Sequence, residues 1–139
     1  MGVEIANEAI KTAENWLETA ETMLEKEVYN TALYSEEMAV GIALKAVILS
    51  VGIEPPKVHN IIENVEVNIL DSSAFPKKYK EDLKKITREL LPELLRNRQI
   101  SGYTFNYNIN KDELEKLAVK YLESSKAAIV TCKKIVEKT

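Results

Sequence analysis

The chain has 139 residues, 45% of them hydrophobic and 29% charged, with a net charge of -3, which is the size and balance of one globular domain and not of a disordered or fibrous chain. Its single cysteine, Cys132, excludes an internal disulfide and a Cys-rich zinc site. No run of roughly 18 apolar residues offers a membrane span and no basic start leads into an apolar run at the N-terminus, so a reducing, cytoplasmic setting is expected.

The first predicted element is a helix over residues 3–26. Ala6, Ala9, Ile10, Ala13, Trp16, Leu17, Ala20, Met23 and Leu24 repeat at i, i+3, i+4, i+7, the stripe of an amphipathic helix. Its small alanines permit a partner helix to approach closely. A second helix is predicted over residues 30–51, striped by Leu33, Ala39, Ile42, Ala43, Ala46 and Val47 and widened by Val40, Leu44 and Ile48. A helix this apolar belongs at the centre of a bundle. Gly52 and the Pro55-Pro56 pair stop it.

A third helix is predicted over residues 58–70, with Ile61, Ile62, Val65 and Ile69 inward, although the alternation Val65, Val67, Ile69 also fits a strand. Asp71-Ser72-Ser73 reads as a loop. A fourth helix begins near Pro76, which suits a first helical turn, and carries Tyr79, Leu83, Ile86, Leu90 and Leu91 inward. Pro92 interrupts it, leaving Leu94, Leu95 and Arg96 either in a kinked continuation or in a short separate turn. Residues 101–110 lack helical period. Asn110, three residues before Glu113, resembles a capping box and opens a last helix striped by Leu114, Ala118, Tyr121, Ser125, Ile129, Cys132 and Val136. The expected fold is therefore all-α, a single domain over residues 1–139: an antiparallel up-and-down four-helix bundle with a short fifth helix as an option.

Charge is unevenly spread, with net -7 over residues 1–40, -2 over 41–76, +4 over 77–98 and +2 over 99–139. The plain reading is that acidic and basic helices pair. A local basic face can also hold phosphate on an acidic protein. The sequence has no phosphate-cradling glycine loop and no paired His or Cys ligands, so neither a metal nor a cofactor is expected. His59, the single histidine, reads as a structural residue capping the third helix more readily than as a general base. Cys132 and Trp16 fall on apolar stripes and read as core. Carboxylates at helical spacing read as solvated surface.

The segment Arg96-Asn97-Arg98-Gln99-Ile100-Ser101-Gly102-Tyr103-Thr104-Phe105-Asn106-Tyr107 differs from the rest. Guanidinium forks grip phosphates, asparagine bonds bases or sugars, and aromatic rings stack on unpaired bases. RNA or a nucleotide suits that mixture. A turn whose rings pack across the bundle end while the arginines pair with acids suits it equally.

Taken together, Trp16-Leu17 through Leu24, Ala43-Leu44-Lys45-Ala46, Gly52 with Pro55-Pro56-Lys57-Val58-His59, the run from Arg96 to Tyr103, and the final helix resemble the HEPN domain family. That resemblance implies a helical bundle that dimerises with itself and often works beside a nucleotidyltransferase, in toxin–antitoxin or defence systems. Many members are metal-independent ribonucleases with an Arg, a polar residue, a short spacer, a His and, two residues on, a Tyr. Laid on this chain, Arg96 and Asn97 take the first two positions, Ser101 stands where the His belongs, and Tyr103 takes the last. In a second register Arg98 and Tyr103 form the Arg-to-Tyr pattern. Gly41 stands where many relatives carry an acid. Without the His, the resemblance implies a non-catalytic domain that binds nucleotide or RNA through Arg96, Asn97, Arg98, Ser101 and Tyr103, with Tyr103 as a modification acceptor. An active ribonuclease using Arg96, Asn97 and Tyr103, or a module that only binds protein, are the alternatives.

Overall fold

The computed structural model describes residues 2–102 and 109–138 of the chain. Helix α1 (Gly2–Glu25) and helix α2 (Tyr29–Ser50) form a tight hairpin. The turn between them closes a Schellman motif, with the Val28 N–H donating to the Met23 carbonyl at 2.8 Å and the Glu27 N–H to Leu24 at 3.1 Å. Glu27 occupies the left-handed position of that motif at φ 62°, where glycine is usual. The same motif ends α2, with Gly52 at φ 83° and bonds from Gly52 to Leu49 and from Ile53 to Ile48.

The third helix starts later than predicted. Residues 53–61 are irregular, and α3 runs Ile62–Val65 before widening into a π-helical turn over Glu66–Leu70. The strand alternative does not occur. Just before the helix the Asn60 Oδ1 accepts from the Ile62 N–H at 3.2 Å, and His59, expected as the cap, bonds Glu37 instead.

Pro92 does not interrupt the next element. Helix α4 (Lys77–Lys85) passes through a π-helical turn (Ile86–Leu90) into α5 (Leu91–Gly102). Proline has no N–H to give to the carbonyl four residues back, and its ring crowds that carbonyl. The wide turn absorbs both problems, its Leu91 N–H reaching back to Ile86. The optional short fifth helix is thus α5, continuous with α4. Helix α6 (Lys111–Lys138) begins at Asn110, whose Oδ1 accepts from the Glu113 N–H at 2.9 Å.

Helix α2 is the central rod, packed on α1, α5 and α6. Glu14–Lys133, Glu21–Lys126 and Glu27–Lys111 run in reverse order along α1 and α6, so these two are antiparallel. The acidic start of the chain does pair with its basic end.

Two apolar clusters fill the bundle. The larger includes Ala13, Ala39, Val40, Leu44, Leu94 and Tyr121; the smaller includes Leu33, Ala118, Met23 and Ile100. At the step between them α1 carries Ala20, α2 carries Glu36 and α5 carries Asn97. Glu36 is 0% exposed and Asn97 3% exposed. Among the described residues neither Glu36 oxygen has a hydrogen-bond partner, nor does Asn97 Nδ2. Burying polar atoms in this way costs stability.

Candidate functional site

Successive helical turns of α2 bring Tyr34, Glu37, Gly41 and Lys45 towards one side of the rod. Gly52 and the two prolines then redirect the chain so that residues 57–59 return against that side.

Tyr34 is held from three directions. Trp16 of α1 meets it edge-on with centroids 6.1 Å apart. His59 lies 6.4 Å away, tilted. The Arg98 guanidinium carbon, from α5, sits 5.6 Å from the ring centroid, within cation–π range.

Glu37, one turn beyond Tyr34, is 1% exposed. His59 Nδ1 lies 3.1 Å from its Oε1. Burial pushes the Glu37 carboxyl up from its ordinary range, while His59, Arg98 and Lys45 pull it back. The imidazole and the carboxyl share this hydrogen bond. The cluster therefore joins a guanidinium, an aromatic face and an imidazole oriented by a carboxylate.

The residues expected from the sequence separate here. Arg98 joins the cluster. Arg96 points elsewhere, exposed and paired with Glu93 at 3.0 Å. It lines a groove of about 890 Å³ shared with Lys85, Lys120 and Tyr121. Tyr121 donates its hydroxyl to Glu93 at 3.1 Å across the same groove. Asn97 faces the interior. The Ser101 side chain and Tyr103 lie outside the described residues, so the Arg96-to-Tyr103 spacing has no geometry here.

His59, read as a helix cap, instead meets Glu37 and Tyr34. Tyr34 and Glu37 were not foreseen, and the expectation that carboxylates only coat the surface fails at Glu36 and Glu37. One signal was available. Ser35-Glu36-Glu37 is a polar run inside the most apolar helix of the chain, where no turn can face water fully. Cys132 is buried, as its position on the apolar stripe predicted. Trp16 is half-buried and packs on the core, while also touching Tyr34.

Among the described residues no group of three or more His, Cys, Asp or Glu is placed to hold a metal ion. No described helix is long and apolar enough to cross a membrane. The profile of the HEPN domain family matches residues 6–124, most of the chain. No curated protein matches it.

Proposed function

The chain belongs to the HEPN domain family, a family with nucleotide- and RNA-related functions, and from that premise we propose that it binds single-stranded RNA or a nucleotide, without cleaving it, at the cluster of Tyr34, Glu37, His59 and Arg98. The observation that carries this reading is the convergence of Arg98 and His59 on Tyr34 and Glu37. A guanidinium contacts phosphate, and aromatic rings beside it receive bases. Arg96 lies on the neighbouring groove and adds charge to the approach. Asn97 acts from inside, through the position of α5. Ser101 lies in the last turn of α5, and Tyr103, next in the sequence after Gly102, remains the proposed modification acceptor. A cytoplasmic homodimer working with a nucleotidyltransferase, in a toxin–antitoxin or defence setting, completes the proposal.

The test is an anisotropy titration of labelled single-stranded RNA at two salt concentrations. Binding through phosphate contacts weakens steeply as salt rises. Binding that ignores salt, or none at all, would turn the reading to a protein-binding module.

One observation favours a second reading. His59 supplies the imidazole that position 101 lacks, and Glu37 orients it as a carboxylate orients a catalytic histidine. An imidazole held in this way accepts a proton from a ribose 2′-hydroxyl as that oxygen attacks phosphorus, the 5′-oxygen leaves with a proton from water, and Arg98 steadies the phosphate. RNA recovered from the titration decides between the two. Fragments that vanish with His59→Ala establish the ribonuclease; intact RNA establishes the binder.

A further inference from the structure

Beside the cluster, between α2 and the 57–59 segment, lies a cleft of about 230 Å³. Glu37, Gly41, Ile42 and Lys45 line one side, and Lys57 and His59 the other. Gly41 has no evident reason within the protein. It lies mid-helix, where glycine costs about 0.5–1 kcal/mol relative to alanine. Its φ is not positive, and a Cβ built on it meets nothing within 4 Å among the described residues. Neither backbone conformation nor close helix packing calls for a glycine. What its missing side chain leaves is open space at the floor of the cleft.

The charge in the cleft is unbalanced. Lys45 and Lys57 make no ion pair among the described residues. The carboxylate of the cleft, Glu37, is already engaged by His59. Two ammonium groups therefore remain for an incoming anion. Glu37 and Lys45 stand eight residues apart, roughly 12 Å along the helix, so a ligand gripped at Lys45 extends back towards His59 and Tyr34. The net positive charge selects an anion over a zwitterion. Compact ammonium groups suit a doubly charged terminal phosphate better than a singly charged diester.

We propose that this cleft is a subsite for a terminal phosphate monoester, seated over Gly41 between Lys45 and Lys57, with the attached nucleoside directed to the Tyr34–His59 cluster. The proposal rests on the nucleotide-binding reading above and deepens it. Two sources share the chemistry, a free mononucleotide and the phosphorylated 5′ end of an RNA.

The experiment is isothermal calorimetry of the intact chain with AMP, with adenosine, and with the same short RNA carrying either a 5′-phosphate or a 5′-hydroxyl. The subsite predicts that AMP binds and adenosine does not. Lys45→Gln with Lys57→Gln, and separately Gly41→Leu, each weaken AMP by about tenfold or more, the loss of a charge-assisted contact or of the space itself. Thermal melts on every variant control for the fold. If the phosphorylated RNA binds about tenfold tighter than its hydroxyl twin, the source is an RNA end; if AMP alone depends on the lysines, it is a free nucleotide. AMP and 5′-phosphate binding that is absent, or unchanged in folded Lys45/Lys57 and Gly41→Leu variants, overturns the subsite. RNA binding that still depends on Arg98 would leave the broader reading standing in that event.

Discussion

Glu36 makes the core sensitive to pH, and replacing it with glutamine tests this directly. The side chain is 0% exposed and neither oxygen has a partner among the described residues. Burial alone pushes its carboxyl from 4.5 up to about 9. In the unfolded chain it ionises near its ordinary value; in the folded bundle it keeps its proton until about pH 9. Between those points the folded state holds one more proton than the unfolded state. Stability therefore falls as pH rises, by about 1.4 kcal/mol per pH unit. At pH 7, some two and a half units above 4.5, the loss is on the order of 3 kcal/mol, a large share of a typical 5–15 kcal/mol total. Glu36→Gln keeps the shape of the neutral acid and removes the titration. Urea unfolding of both proteins at pH 5, 6, 7 and 8 isolates the effect, because every other titrating group is common to both. The wild-type stability should drop away from that of Glu36→Gln by about one kcal/mol or more per unit. Parallel pH profiles would refute the reasoning and mean that Glu36 is ionised and solvated in the folded protein.

Other consequences are simpler to read. Glu27 holds a left-handed conformation at the end of α1, so Glu27→Gly should raise stability by about 0.5–1 kcal/mol, seen as a higher Tm. Cys132 is fully buried, and burial pushes its thiol up to about 12; a thiol-reactive disulfide reagent should leave it untouched in native protein and label it at once in denaturant. Leu94 is 0% exposed and Val130 is 53% exposed, so Leu94→Ala should cost about 2–5 kcal/mol and Val130→Ala no more than about 0.5 kcal/mol in chemical denaturation.

The helices were legible because their apolar stripes are long and periodic. α1 and α2 fall within a residue or two of their predicted bounds and α6 starts where predicted, and Gly52 and Asn110 end and begin helices by the chemistry that singled them out. Misreadings arose where tertiary packing outweighs local signals. A proline inside an apolar stripe looks like a break, and only the π-helical turn before Pro92 shows how the rod continues through it. The site was half legible. Arg98 stood out by type and by neighbours. Its companions come from 39 or more residues away in other elements, and no local pattern links His59 to Tyr34 and Glu37. The sequence also treats Arg96, Asn97 and Arg98 alike, although three adjacent helical positions point roughly 100° apart. That rotation sends Arg96 to the groove, Asn97 to the core and Arg98 to Tyr34.

This divergence supplies the most direct test of the proposed site. The dissociation constant of single-stranded RNA should be measured for wild type, Arg96→Gln and Arg98→Gln under identical low-salt conditions, with circular dichroism confirming the fold of each. The account predicts that Arg98→Gln weakens binding by about tenfold or more and that Arg96→Gln changes it only a few fold. Equal losses at both positions, or a larger loss at Arg96, would contradict it and move the site to the groove between α5 and α6.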